Sequence, residues 1–224
     1  MKIKYFAHSA FQISTGNYKI LIDPFLTGNP NAIEKVEDVQ ADFIVLTHAH
    51  GDHIGDAFTI AKKCNSLFIC VNELANYCIS KGFSAHNMHI GGSHVFDFGK
   101  VKFTIAHHGS MTPENTYAGE PAGVLLNIEN KIIYHTGDTG LFYDMKLIGE
   151  MNKVDLMLLP IGDNFTMGIE DALKAVELVN PKLAVPMHYN TFPVIQADPK
   201  KFKSLCEEKG FKSRILNYGE EITL

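Results

Sequence analysis

The sequence predicts an α/β domain in which two similar halves lie face to face and each contributes one β-sheet. Apolar segments of strand length alternate with helix-like segments along the chain. Two hairpins of apolar strands end in an aspartate, Asp23 in the first half and Asp138 in the second, and a buried strand follows each one, at 43–46 and 155–159. Because 46% of the residues are hydrophobic and no long linker interrupts the chain, we expect residues 1–224 to form one domain.

Composition limits the compartment and the partners. No apolar run approaches the roughly 20 residues that a membrane helix needs, and the first residues enter a strand pattern without an export signal. We therefore expect a soluble, cytoplasmic protein. The four cysteines have apolar surroundings and no C-x-x-C spacing, which predicts buried reduced thiols at Cys64, Cys70, Cys78 and Cys206.

Charge argues against a long nucleic acid as partner. The net charge is −5, and Arg214 is the only arginine among 20 basic residues. The chain therefore lacks the planar guanidinium groups that grip a phosphate backbone. We expect a small-molecule substrate, which leaves a small phosphate or phosphodiester open.

The first half begins with three strands. They cover 3–6, 11–13 and 19–23, and a turn at 15–17 joins the last two. Asp23 ends this segment, where it either supports the loop that follows or only begins the turn at Pro24. Beyond the next strand, the pattern predicts a helix over 56–64, a strand over 67–71 and a helix over 73–81, with Gly82 as its C-terminal cap.

A dense polar motif, H-x-H-x-D-H, follows the strand at 43–46 and consists of His48, His50, Asp52 and His53. The ends of strands are where α/β folds keep their chemistry. His48 and His50 project to one side of an extended segment, whereas Asp52 and His53 lie beyond the flexible Gly51 and turn to a second point. Buried imidazoles and a carboxylate are costly unless ions satisfy them, which predicts two adjacent metal sites. The alternative is a polar helix cap with incidental histidines.

The second half repeats the pattern of strands that end in polar residues. Gly91-Gly92 separates 88–90 from 94–98, and a strand over 100–106 ends at His107-His108. Residues 111–121 are the most loop-like stretch, either a substrate loop or an ordinary surface connection. Strands over 123–128 and 131–135 then form the hairpin that closes on Asp138.

The remaining elements alternate between helix and strand. Ile169, Leu173, Val176 and Val179 form one helix face, which stops at Asn180-Pro181. A strand over 183–186 delivers His188, and Asp198-Pro199 begins a helix over 200–209. Two short strands are expected to finish the chain.

The H-x-H-x-D-H motif after an apolar strand resembles the metallo-β-lactamase superfamily of binuclear metal hydrolases. More narrowly, the chain resembles the metal-dependent hydrolase group of that superfamily, which is related to the ascorbate-phosphate lactonases. The likeness covers His8-Ser9-Ala10-Phe11, Gly137-Asp138-Thr139-Gly140, Pro160-Ile161-Gly162-Asp163 and the stretch from Met187 to Pro193. It implies an α/β fold, a four-layer αββα sandwich of two mixed β-sheets with helices on the outer faces.

The resemblance also implies a ligand set. His48, His50 and His108 would bind one metal, Asp52, His53 and His188 the other, and Asp138 would bridge them. The family spacing favours His108 over its neighbour His107, which would line the site or form outward hydrogen bonds. Asp23 would support the metal loop through hydrogen bonds. Since all donors are nitrogen or oxygen, we expect two divalent ions, zinc by default, with Mn²⁺, Fe²⁺ and Ni²⁺ as alternatives.

The implied activity is hydrolysis of a small ester, lactone or phosphodiester by a metal-bridging hydroxide. Asp52 and His8 are the candidate catalytic residues, with His8 as a supporting or proton-transfer group beside the metals. A hydrogen bond within the first sheet is the alternative for His8.

Two other functions stay open. One is an iron-dependent oxidoreductase on the same fold, although flavodiiron enzymes carry glutamate at the position of His50. The other is a metal-stabilised binding protein. The missing export signal argues against an antibiotic-degrading lactamase, and the shortage of arginine argues against a transfer-RNA nuclease.

Overall fold

The computed structural model describes residues 1–224 and contains two mixed β-sheets. The first sheet consists of β1 (Lys2–Ala7), β2 (Ala10–Thr15), β3 (Tyr18–Ile22), β4 (Phe43–Val45), β5 (Leu67–Val71), β6 (Ala85–Met88) and β13 (Glu221–Thr223). The second consists of β7 (Ser93–Phe96), β8 (Gly99–Ile105), β9 (Ala122–Ile128), β10 (Lys131–His135), β11 (Leu156–Pro160) and β12 (Ala184–Met187). Their spatial orders are β13-β1-β2-β3-β4-β5-β6 and β12-β11-β10-β9-β8-β7.

Both sheets follow one topology. In the first, β1, β2 and β3 pair antiparallel and β4 and β5 continue in parallel. In the second, β8, β9 and β10 pair antiparallel and β11 and β12 continue in parallel. Asp23 and Asp138 therefore lie at equivalent places, past the strand at which parallel pairing begins. This arrangement confirms the prediction of two similar halves.

Six α-helices accompany the sheets. They are α1 (Gly51–Ile54), α2 (Ala57–Cys64), α3 (Asn72–Ser80), α4 (Met145–Met151), α5 (Ile169–Val179) and α6 (Pro199–Glu208), and short 3-10 turns occur at Val36–Asp38 and Pro193–Ile195. No helix combines the length and the apolar character that crossing a bilayer requires.

The alternation of side chains along β11 shows how the layers stack. Leu156 and Leu158 belong to the large core between the sheets, whereas Met157 and Leu159 belong to a second core with α5 and α6. On the far side, α2 and α3 pack on the first sheet, where Phe58 contacts Phe68 at 5.5 Å between ring centroids. Helices thus cover the outer face of each sheet, which confirms the four-layer sandwich.

The prediction of two short strands at the end of the chain was wrong. Only β13 forms, and Ser213 makes an isolated bridge to Ala184. Both backbone groups of Ala184 are used there, since its N–H donates to Lys212 and its carbonyl accepts from Arg214. Two residues further along β12, Pro186 has no N–H, so the pairing that begins at Ala184 cannot continue into a second strand.

Smaller differences concern local elements. The one-turn helix α1 places Asp52 and His53 where a loop was expected, and α4 was not predicted. The segment 88–90 before Gly91-Gly92 is not a strand of its own, because β6 ends at Met88. All four cysteines are free thiols; Cys64 is partly exposed and the other three are buried.

Candidate metal centre

Histidines and aspartates from both sheets meet at one edge of the sandwich because they lie just past strand ends. His8 follows β1 and Asp23 follows β3, and the motif beginning at His48 follows β4. From the second sheet come three more residues, His108 after β8, Asp138 after β10 and His188 after β12. Rigid strands thus hold six separate parts of the chain around one point.

The first group of candidate ligands is His48, His50 and His108. The Nε2 atom of His48 lies 3.0 Å from Nδ1 of His50, and Nε2 of His108 lies 3.3 Å from the same atom. The neighbouring His107 is exposed and stacks on Phe142, with 5.1 Å between ring centroids. Of the two adjacent histidines, only His108 faces the centre.

The second group contains Asp52, His53 and His188, joined by His8. Nε2 of His188 lies 3.8 Å from Oδ2 of Asp52, and Nε2 of His8 lies 3.1 Å from the same oxygen. The structure thus brings together every candidate ligand that the sequence analysis named, and it adds His8 to the group of possible ligands.

Asp138 lies between the two groups. Its Oδ2 atom is 2.9 Å from Nε2 of His188, 3.3 Å from Nε2 of His53 and 3.7 Å from Nε2 of His108. The side chain is only 3% exposed. Its carboxylate therefore reaches members of both groups.

The donor atoms fit a bound cation better than they fit each other. When a neutral His53 donates from Nδ1 to Oδ2 of Asp23, its Nε2 presents a lone pair to the carboxylate of Asp138, a contact that a cation would relieve. Nε2 of His53, Oδ1 of Asp138 and both ring nitrogens of His188 are buried without a hydrogen-bond partner. Buried polar atoms are rarely left in this state. A divalent ion would satisfy such converging lone pairs.

The charges of the site also favour a cation. Burial lowers the pKa of His53, but the carboxylates of Asp138 and Asp23 outweigh it and hold the pKa well above its usual range. Burial likewise raises the pKa of Asp138, but His188 and His53 reverse the effect and hold it well below its usual range. Burial lowers the pKa of His48, which keeps that imidazole in the neutral form a metal needs.

Asp23 fixes the motif through three hydrogen bonds. It accepts from the backbone N–H of Thr47 at 2.9 Å, from the Thr47 hydroxyl at 2.6 Å and from Nδ1 of His53 at 2.8 Å. Since the Thr47 hydroxyl gives its proton to Asp23, it accepts at 3.0 Å from Nδ1 of His48, which leaves Nε2 of His48 free as a donor to metal. Partners of this kind orient metal-binding histidines. The sequence had left open whether Asp23 supports the motif or only begins a turn, and it had not identified Thr47.

Replacing Asp23 by asparagine should weaken both the fold and the metal site. The amide NH₂ would face N–H or O–H donors, so we expect the unfolding free energy of the metal-free protein to fall by about 2–4 kcal/mol. Zinc affinity should fall roughly 10–100-fold. Urea unfolding and zinc titration measure the two effects.

Asp42→Asn is the matched control for that change, because the carboxylate of the exposed Asp42 accepts only from the backbone N–H of Lys19. It should leave zinc affinity unchanged. Unaltered stability and affinity in Asp23→Asn would show instead that Asp23 serves only the turn at Pro24.

His8 is fully buried beside the second group, and its ring makes no hydrogen bond within the first sheet. Its Nδ1 lies 2.9 Å from the Thr191 hydroxyl, and its Nε2 lies 3.1 Å from Oδ2 of Asp52. Burial lowers the pKa of His8 to about 4, and the nearby His188 contributes in the same direction. A neutral ring that accepts from Thr191 and donates to Asp52 satisfies both contacts.

Three residues of the centre adopt left-handed backbone conformations. The φ angles are 56° at His8, 44° at Asp23 and 53° at His188. Such values are uncommon for residues other than glycine and cost about 1–3 kcal/mol each. The backbone also ties two of these residues together, since the N–H of His188 donates to the carbonyl of His8 at 2.9 Å. Surrounding contacts thus hold the backbone in place to aim these side chains.

A cavity of about 210 Å³ opens over the two groups. Its wall consists of one aromatic residue and five candidate ligands: Phe165, His50, Asp52, His108, Asp138 and His188. The sequence analysis did not identify Phe165. The sequence signal that could have identified it is a single phenylalanine directly after the turn-forming pair Asp163-Asn164.

The stretch 111–121 does not line this cavity, which favours a surface connection over a substrate loop. Its Glu114 accepts hydrogen bonds at 2.7 Å from the Tyr77 hydroxyl and at 2.6 Å from Lys81. These contacts hold the loop against α3 and the residue that follows it.

Two stacked mixed sheets with histidines and aspartates at their strand ends define a metal-dependent hydrolase of the metallo-β-lactamase fold. The sequence profile of the Beta-lactamase superfamily domain matches residues 18–189. The chain is 55% identical over 229 residues to a UPF0173 metal-dependent hydrolase of Bacillus cereus, and the match covers 100% of both. The chain belongs to the metallo-β-lactamase superfamily and, within it, to the UPF0173 metal-dependent hydrolases.

Solved structures agree with this assignment. Igni18, a metallo hydrolase of the archaeon Ignicoccus hospitalis, superposes with a TM-score of 0.93 at 40% identity, covering 100% of this chain and 97% of that one. An isothiocyanate hydrolase from Delia radicum gut bacteria superposes with a TM-score of 0.79 at 21% identity, covering 100% and 99%. At that identity the second likeness shows the fold alone.

Proposed function

We propose that this hydrolase works with two divalent ions, zinc by default, and cleaves a small ester, lactone or phosphodiester. The observation that carries the proposal is the place of Asp138, whose Oδ2 lies within 3.7 Å of histidine nitrogens in both ligand groups. A carboxylate shared in this way is suited to bridge two ions. His48, His50 and His108 would hold one ion, and Asp52, His53 and His188 the other.

The ions would supply the chemistry that the side chains lack. When bound, they lower the pKa of a coordinated water toward about 7 and polarise the carbonyl or phosphoryl oxygen of the substrate. The protein contributes the fixed geometry of the ligands and a half-enclosed cavity that limits access of water.

Asp52 is the candidate catalytic residue that lies in the cavity. Its side chain is 26% exposed and lines the cavity. Burial raises its pKa, but the hydrogen bond from His8 and the nearby His53 reverse the effect and hold it well below its usual range. Asp52 therefore stays ionised at neutral pH, the form that a metal ion binds, while His8 and Thr191 keep its carboxylate in position.

The cavity favours a small substrate. No lysine or arginine lines it, and its volume of about 210 Å³ is below the roughly 300–1,000 Å³ of common ligand pockets. These features suit a small molecule and argue against a long nucleic acid. We place the protein in the cytoplasm as part of this proposal.

Metal analysis combined with a substrate screen tests the function. We expect about two ions per chain after zinc loading, and hydrolysis of aryl esters, lactones or bis-aryl phosphodiesters that a chelator abolishes and zinc restores. Anaerobic purification with iron analysis and an oxygen-consumption assay distinguishes the oxidoreductase alternative. A metal-loaded protein that turns over none of these substrates would contradict the proposal and favour a binding role.

A further inference from the structure

Phe165 is a large apolar side chain held over the candidate metal cavity. It is 54% exposed, although burial of a phenyl ring is normally favourable. The other residues of the cavity wall are candidate metal ligands. The phenyl ring is thus the one part of the wall that is free to contact the body of a substrate.

The loop that carries Phe165 has a fixed backbone. Asp163 and Asn164 adopt successive left-handed conformations, with φ angles of 59° and 52°. The carbonyl of Asp163 accepts from the N–H groups of Phe165 and Thr166, and its own N–H donates to the carbonyl of Met167 at 3.1 Å. The ring is therefore presented by a closed, hydrogen-bonded turn.

This turn is tied to the metal-binding loop. The N–H of Met167 donates at 2.9 Å to the carbonyl of Thr139, the residue after Asp138. The side chain of Met167 is fully buried in the core beneath α5. These contacts fix the ring relative to Asp138, as substrate positioning requires.

Apart from the proposed ions, the cavity wall offers no cation to a charged part of a substrate. Its two carboxylates, Asp52 and Asp138, are candidate metal ligands, and no lysine or arginine lines the wall. A charged group beyond the reacting centre would therefore lose water without gaining a counter-charge from the chain.

We propose that Phe165 is a specificity-determining residue that selects small uncharged esters or lactones by packing against a flat apolar group next to the scissile bond. The inference rests on the proposed hydrolase function and narrows its substrate. In the reaction, the oxygen of water adds to the carbonyl carbon and gives up one proton, the acyl C–O bond breaks, and the leaving alkoxide takes up that proton, so that a carboxylic acid and an alcohol form.

Two hydroxamate probes test the ring contact without turnover. Acetohydroxamate and benzohydroxamate chelate metal through the same group and differ by the phenyl ring. For the zinc-loaded protein we expect benzohydroxamate to bind roughly five- to tenfold more tightly. Phe165→Ala should reduce this ratio to below about twofold, and Phe165→Tyr should restore it. An equal ratio in the wild type and in Phe165→Ala overturns the proposal.

Tyr143→Ala is the matched control, because Tyr143 is an exposed aromatic residue, 71% exposed, outside the cavity. Its hydroxamate ratio should equal that of the wild type. Melting temperatures of all variants show whether a change in the ratio accompanies unfolding, which we do not expect for a half-exposed ring.

Kinetics with phenyl acetate and bis(4-nitrophenyl) phosphate test the substrate class. We expect the wild type to prefer the ester, and Phe165→Ala to raise the KM for phenyl acetate roughly five- to tenfold with kcat changed less than about threefold. A preference for the diester overturns the inference. Retained hydroxamate discrimination without turnover of either compound would instead contradict the proposed function and support the ring contact.

Discussion

Replacement of Asp138 by asparagine should remove at least one of two bound metal ions and lower hydrolysis at least roughly a hundredfold. Asparagine keeps the shape of the side chain but has no charge and only one oxygen. It therefore cannot bridge two cations, and it leaves the positive charge of the site less balanced. A catalytic ion is worth several kcal/mol of transition-state stabilisation, and each 1.36 kcal/mol is a factor of ten in rate.

Metal content by mass spectrometry and turnover of an aryl ester measure these two effects. Asp97→Asn is the matched control, because Asp97 is exposed and lies in the turn before β8, at the opposite end of that strand from His108. It should keep full metal content and turnover. Two ions and undiminished turnover in Asp138→Asn would rule out the binuclear proposal.

Replacement of His8 by alanine should lower kcat by roughly 10²–10⁴-fold, the usual range for groups that support proton transfer. The buried ring contacts Asp52 rather than the cavity, so its effect passes through the position of that carboxylate. We expect metal content to be preserved, because the other ligands are unchanged. The variant also leaves a buried void, so the unfolding free energy must be measured beside the kinetics.

The pH profile separates a positioning role from direct proton donation by His8. Because burial lowers the pKa of His8 to about 4, the ring stays neutral across the neutral range and loses this form only as pH falls toward that value. The rate deficit of His8→Ala should therefore be constant across neutral pH. A deficit that changes with pH near 6.5 would indicate that the ring itself titrates during catalysis.

Thr191→Val provides a gentler test of the same contact. It removes the hydroxyl that bonds Nδ1 of His8 while keeping the volume of the side chain. We expect a smaller loss of kcat in the same direction. Loss of bound metal in either variant would show that His8 supports metal binding rather than the position of Asp52.

Local patterns in the sequence were enough to predict most of the strands, the places where they end and most of the candidate ligands. Apolar runs of strand length are local signals, so they located the strands that deliver the motif at His48, Asp138 and His188. The repeated hairpin that ends in an aspartate predicted the two halves, because similar local patterns at two places in the chain produce the same order of strands. The choice of His108 over His107 came from the family resemblance, and the structure places His108 at the centre.

The distant residues that meet around those ligands are brought together by tertiary packing, and no sequence pattern identified them. Thr191 contacts His8 across 183 positions, and the turn of Met167 binds beside Asp138 through a backbone hydrogen bond. Such contacts depend on how the two sheets stack, which no local spacing encodes. For the same reason the sequence could not assign Phe165 to the cavity wall or place 111–121 against α3. Local patterns determined where strands end, and packing between the sheets decided which side chains meet there.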